Sequence, residues 1–143
     1  MKKFILDTGI AACYIDRRFG VYERAKVELS RGNRIGIVPP VLAELVYRIE
    51  GSPNPARNYQ RLALALAAWN FWPSTREAAF EYGRIAFQMR NAGRTIGQND
   101  IMIGAIALSL KNTTVVSMDG DMSLIPGLDV ENWAQEGSSS STK

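Results

Sequence analysis

Lys3-Phe4-Ile5-Leu6-Asp7 is a short apolar run closed by an acid. A run of this length, bounded by charge, reads as a buried strand rather than a helix. The same pattern returns near the other end of the chain. Residues 113–117, Thr-Thr-Val-Val-Ser, form the clearest β-branched strand, and Asp119-Gly120-Asp121 follows it. Residues 35–38 give a second strand, Phe71-Trp72 a brief one and residues 128–131 an edge strand. Helical patterns lie between them, over residues 10–15, 22–31, 40–50, 56–69, 75–91 and 100–110. Gly32, Gly51 and Gly93 stop three of these, and Pro39-Pro40 opens another, where the missing N–H costs little. Strands alternating with helices predict a three-layer α/β/α sandwich with a mainly parallel sheet. In such folds ligands bind beyond the carboxyl ends of the strands, where the strand order reverses. The acids that close the first and the late strand are therefore expected on one edge, with Asp7 and Asp121 near each other.

The chain has 143 residues, enough for one domain with a hydrophobic core, expected over residues 1–134. Residues 135–143, rich in serine, read as a disordered tail. No apolar run approaches the roughly 18 residues that span a bilayer. The start has two lysines and then only three apolar residues before Asp7, too few for the core of a signal peptide. A cytoplasmic location is the expectation.

Composition excludes several chemistries. A single cysteine, Cys13, rules out an internal disulfide and a multi-thiolate zinc site, and it reads as a small core residue. There is no histidine, so Ser-His-Asp and Cys-His sites cannot be built. The remaining tools are carboxylates, hydroxyls, lysine, arginine and a borrowed metal ion. Charge is uneven: residues 1–94 carry 15 basic and 8 acidic groups, residues 95–143 carry 2 and 6. Twelve of the 17 basic residues are arginine, the side chain that grips phosphate in a fork, which fits a polyanionic partner. Arg94, six residues before Asp100, is the candidate phosphate contact, and such contacts make affinity fall with salt.

Glu44 lies inside the apolar Val41-Leu42-Ala43-Glu44-Leu45-Val46, and Asp100 opens an apolar run ending near Leu108. Lone acids in apolar segments are costly unless paired or bound to a cation. Each has a plainer reading. Asp100 and Asn99 are good helix N-caps. Asp119-Gly120-Asp121 is good turn chemistry. Glu44 fits a solvated helix edge. Gathered at one point, four or five carboxylates would repel one another. With oxygen ligands alone, the cation that relieves this is Mg²⁺ or Mn²⁺. Such an ion activates water and clamps phosphoryl oxygens, so an enzyme without histidine can hydrolyse a phosphodiester.

Phe4-Ile5-Leu6-Asp7-Thr8, Leu42-Ala43-Glu44-Leu45, Ile96-Gly97-Gln98-Asn99-Asp100 with residues 103–107, and the stretch from Val115 to Trp133 resemble, in this order and spacing, the PIN domain. The resemblance covers roughly residues 3–133, and its last stretch is similar to the VapC branch, the toxins of bacterial toxin–antitoxin pairs. It implies a Mg²⁺- or Mn²⁺-dependent endoribonuclease with metal-binding, catalytic acids at Asp7, Glu44, Asp100 and Asp121. Ser117 matches a hydroxyl position near the metal, Thr8 a supporting one, and Asp119 a more variable position whose loss is expected to do less harm than that of Asp121. The resemblance also implies a homodimer, and an antitoxin whose amphipathic helix fills a groove near residues 40–50, where Val41, Leu42, Leu45, Val46, Tyr47, Ile49, Trp69, Phe71 and Trp72 supply apolar surface. Three positions depart from the family's pattern: Gly9 and Met118 stand where asparagine is usual, and Met122 where an aromatic is usual.

Two other activities fail on the residues. A haloacid-dehalogenase-like phosphatase needs an acid where Gly9 stands. A receiver-like phosphoacceptor needs an early acidic pair and a lysine after a late strand, whereas Lys111 precedes its strand. A PIN nuclease that processes RNA without an antitoxin, and a non-catalytic RNA- or partner-binding domain on the same fold, remain as alternatives.

Overall fold

The computed structural model describes residues 1–135, so the expected serine-rich tail lies outside the described residues except for Gln135. That residue is held, its N–H donating to the Phe19 carbonyl at 2.7 Å. Five strands, β1 (Lys3–Leu6), β2 (Arg34–Ile37), β3 (Asn70–Phe71), β4 (Thr113–Val116) and β5 (Asp129–Glu131), form one sheet in the order β3-β2-β1-β4-β5. Every pairing is parallel. Six helices connect them: α1 (Thr8–Asp16), α2 (Val21–Ser30), α3 (Pro39–Glu50), α4 (Pro55–Ala68), α5 (Arg76–Asn91) and α6 (Gln98–Leu110). Right-handed crossovers with this order put α1–α4 on one face of the sheet and α5–α6 on the other. The three-layer sandwich follows.

Both faces are covered, which is why β1, β2 and β4 are continuous apolar runs instead of alternating ones. Phe4, Ile5, Leu6, Ile35, Ile37, Val115 and Val116 are all buried. Helix α6 shows the same logic. Ile101, Ile103, Gly104, Ala105, Ile106 and Ala107 are buried, so the helix has no polar stripe to give away its orientation.

The topology builds the site. The chain steps from β1 to β2 and β3 in one direction, then returns to β4 on the other side of β1. The strand order therefore reverses between β1 and β4. Leu6 pairs with Val116 in register, and the Asp7 N–H donates to the Val116 carbonyl at 3.0 Å. Asp7 and Ser117 thus leave the sheet side by side at its switch point.

Gly36 in β2 fixes how closely β3 approaches. A Cβ at this position would meet the Asn70 carbonyl oxygen at 2.1 Å and its carbon at 2.7 Å. Backbone, not a flexible side chain, stands in the way. Gly36→Ala is expected to destabilise by about 3 kcal/mol, the upper range for overpacking, and to lower Tm by roughly 10 °C in thermal denaturation. An unchanged Tm would mean that the β2–β3 edge is looser than the structure has it.

Candidate active site

Asp7 is the N-cap of α1. Its Oδ1 accepts the Ile10 N–H at 2.9 Å, which pins the carboxylate at the end of β1. It is only 8% exposed. The next residue, Thr8, donates its hydroxyl to Glu44 Oε1 at 2.8 Å, tying the first turn of α1 to α3. Glu44 is half-buried, not a solvated edge residue. Asp100 lies in the first turn of α6, and the cap is Gly97, with no side-chain cap bond. The carboxylate of Asp100 is therefore not consumed as an N-cap, and α6 begins two residues earlier than its apolar run suggests.

On the β4 side, Ser117 is buried and its Oγ accepts the Asp119 N–H at 2.9 Å. Asp119 in turn caps a 3-10 turn, Gly120–Leu124, by accepting the Asp121 N–H at 2.9 Å. The turn reading of this stretch holds for Asp119, and it carries Asp121 outward to an exposed position.

These carboxylates act on one another. Burial pushes the Asp7 carboxyl above the usual range. The Ser117 hydroxyl and the Ile10 N–H pull it back, and the charges of Asp119 and Glu44 push it up again. Asp100 is pushed up to about 6, by burial first and then by the charges of Asp119, Asp7, Glu44 and Asp121 in that order. Asp119, expected to be the lesser residue, is thus the strongest of the neighbouring charges acting on both. Asp121 is the weakest of the four charges acting on Asp100.

The contrast with Glu28 shows that this is not ordinary burial. Glu28 is 3% exposed, and burial raises its pKa, but Asn33, Arg24 and Arg31 more than offset that and its carboxyl is held low. Among the described residues no lysine or arginine forms an ion pair with Asp7, Glu44, Asp100, Asp119 or Asp121. The chain neutralises the acid that serves the fold and leaves this cluster uncompensated. Its donors are oxygen only, which fits a hard divalent cation. Among the described residues, no group of three or more acids stands close enough together to hold one.

Beside the cluster, a depression of about 440 Å³ is lined by Glu44, Gly97, Gln98, Asn99 and Asp100. A second, of about 400 Å³, follows along the α5–α6 connection and is lined in part by Arg90, Gly93, Arg94 and Thr95. Arg94 lies in the second, with Arg90 one helical turn before it. Sequence reasoning missed Arg90, although the four-residue spacing was there to read. Of the apolar residues expected to form a partner surface, Val41, Leu45 and Trp69 are buried in the core, and Leu42, Val46, Ile49 and Trp72 are half-buried. Tyr47 and Phe71 are exposed.

The parallel sheet ordered 3-2-1-4-5 carries acids just beyond its two central strands, and the PIN domain model matches residues 4–128. The chain belongs to this family. It is 29% identical over 130 residues to "Ribonuclease VapC2" of Rickettsia felis, covering 91% of this chain and 97% of that one. It is 28% identical over 134 residues to "tRNA(fMet)-specific endonuclease VapC" of Salmonella typhimurium, covering 93% and 99%. Among solved structures, VapBC2 from Rickettsia felis bound to a DNA fragment from its promoter superposes with a TM-score of 0.85 at 28% identity, covering 92% of this chain and 98% of that one. DNA-bound VapBC from Salmonella typhimurium gives a TM-score of 0.85 at 29% identity, covering 94% and 100%.

Proposed function

We propose that this chain is a divalent-cation-dependent endoribonuclease, that Asp7, Glu44, Asp100, Asp119 and Asp121 are its metal-holding acids, and that it is the toxin of a toxin–antitoxin pair. The observation that carries the reading is the uncompensated carboxylate cluster at the switch point, in a chain without histidine. The relatives named as ribonucleases support RNA as the substrate. Mg²⁺ or Mn²⁺ is the fitting ion; bound there, it lowers the pKa of a water and stabilises negative charge on a phosphate.

The chain's own residues have distinct roles. Asp7 is fixed by the α1 N-terminus, through the Ile10 N–H. Thr8 orients Glu44. Asp100 projects from a helix start with no capping duty. Asp119 supplies a carboxylate whose other oxygen is held by the Asp121 N–H. Arg90 and Arg94 lie along the path on which an RNA backbone would leave the acids, where they would grip phosphates. Asp119→Asn is expected to lower kcat/KM by about tenfold or more and Asp121→Asn by less, the reverse of the order expected from the sequence. Equal or inverted losses would return Asp121 to the first rank.

The solved VapBC relatives support a protein partner. A groove of about 250 Å³ between α1, α3 and α4 is lined by Ala12, Ile15, Leu45, Ile49, Arg48 and Arg61, among others. It offers an amphipathic antitoxin segment an apolar floor and a charged rim, Arg48 with Arg61 paired to Asp16 at 2.8 Å. Among the described residues no helix is long and apolar enough to cross a membrane, and a cytoplasmic place beside RNA suits the proposed activity. The test is induced expression alone and with the adjacent small gene. Growth arrest by the chain alone, relieved by a co-purifying partner, is the expected result. No arrest and no co-purification would remove the toxin reading and leave a nuclease without an antitoxin.

A further inference from the structure

Gly9 and Met118, two of the three departures from the family's pattern, meet in space. Gly9 is in the first turn of α1, two residues after Asp7. An ideal Cβ there would lie 3.4 Å from the Met118 Cε methyl and 3.8 Å from Asp7 Oδ1. A branched side chain at position 9 would press on the Met118 methyl. Glycine inside a helix costs about 1 kcal/mol relative to alanine, and here it provides the seat for Met118. Met118 itself lies between buried Ser117 and exposed Asp119, and 45% of it is exposed. An apolar side chain is therefore kept partly in water beside Asp7, in a neighbourhood of carboxylates and a hydroxyl. It is not among the residues of the core.

An RNA strand crossing this cluster brings phosphates, which an ion held by the acids would engage, and nucleosides, which it would not. The apolar faces of ribose and base are what a thioether can hold, and an unbranched, polarisable methionine adapts to any of the bases. We propose that Met118, seated on Gly9, packs against the nucleoside next to the scissile phosphate and so holds the strand across the acids. This inference rests on the ribonuclease reading. It assigns Met118 to substrate binding, not to the chemical step.

The experiment measures kcat and KM on a short single-stranded RNA that the wild type cleaves, and on the same RNA with one abasic nucleotide on either side of the cleaved bond. For Met118→Ala, KM on the intact RNA should rise about fivefold with kcat within about twofold, and Met118→Leu should recover most of the loss. On one of the abasic RNAs the wild type should show the same rise, and Met118→Ala should add nothing to it. Gly9→Val, which fills the seat while Met118 is still present, should give the same KM effect. Thermal denaturation and Mn²⁺ binding check that each variant is folded with its acids intact. An unchanged KM in Met118→Ala, or a loss equally large on intact and on both abasic RNAs, overturns the assignment. A wild type that cleaves no RNA overturns the nuclease reading itself, and this inference with it.

Discussion

Asp100→Asn should lose RNA cleavage by about a thousandfold or more, since it would remove a proposed metal ligand from a step where metal-borne charge stabilisation is worth several kcal/mol. The same variant should fold, and at pH 7.5 without metal it should melt at a higher temperature than the wild type. The second expectation is the more discriminating one. Asp100 is pushed up to about 6 by burial and by four neighbouring acids, so its ionised form is held in the fold at a cost. Asparagine keeps the shape and removes the charge. It caps nothing in either form, because Gly97 is the N-cap of α6. An acid that served stability would give the opposite result on truncation, as Glu28 should, with its arginine and asparagine partners left unpaired. Full activity in Asp100→Asn would reject the mechanism, and a fall in its Tm would reject the electrostatic account.

Chelation should abolish cleavage, and the same carboxylates should make metal-free stability depend on pH in a defined direction. Asp100 has a higher pKa in the folded chain than its ordinary value of 3.8, and Asp7 is raised as well. Between about pH 4 and pH 6 the folded protein holds protons that the unfolded chain has released, so stability falls as pH rises through this window. Below it both states are protonated and this contribution is flat. Above it the repulsion is fully present. A divalent cation binds the ionised form, so its stabilisation should be small at pH 5 and large at pH 7. At a hundredfold excess over Kd, binding adds about 2.7 kcal/mol, on the order of 10 °C in Tm for a domain of this size. Melting curves with EDTA and with Mn²⁺ across this range would measure it. Stability that rises with pH in EDTA, or a Mn²⁺ effect unchanged between pH 5 and 7, would mean that the cluster is not the binding site. Cleavage persisting in excess EDTA would end the metal-dependent reading.

The sheet was readable because its central strands announce themselves. Lys3-Phe4-Ile5-Leu6 and Thr113-Thr114-Val115-Val116 are short β-branched or aliphatic runs, each ended by a polar residue where the chain leaves the sheet. Parallel strands buried on both faces have no other pattern to show. The edge strand β3 is two residues long, and the sequence shifted it by one, since hydrophobicity marks Phe71-Trp72 while the pairing uses Asn70 and Phe71. Helix α6 starts two residues before its apolar run for a related reason: its first turn, Gln98-Asn99-Asp100, is polar and is started by a glycine instead of a side-chain cap.

The acids were legible one at a time, as charges in apolar surroundings. What the sequence could not rank was their mutual distance. Asp119 and Asp121 differ by two positions and are both exposed; only the 3-10 turn, with Asp119 accepting the Asp121 N–H, separates their roles, and the sequence does not show that turn. The pairing of Gly9 with Met118 was hidden in the same way. The two residues are 109 positions apart, and the register of β1 against β4 brings them together.

The central claim is that the acids beyond β1 and β4 share a divalent cation. Anomalous diffraction from crystals grown with Mn²⁺ tests it directly. The account predicts a manganese peak with carboxylate oxygens of Asp7 and Asp100 at coordination distance, roughly 2.0–2.2 Å by analogy with Mg²⁺, and no peak there in Asp100→Asn. Manganese bound elsewhere on the protein, or an empty cluster in crystals of enzyme that is active in the same Mn²⁺ solution, would contradict it.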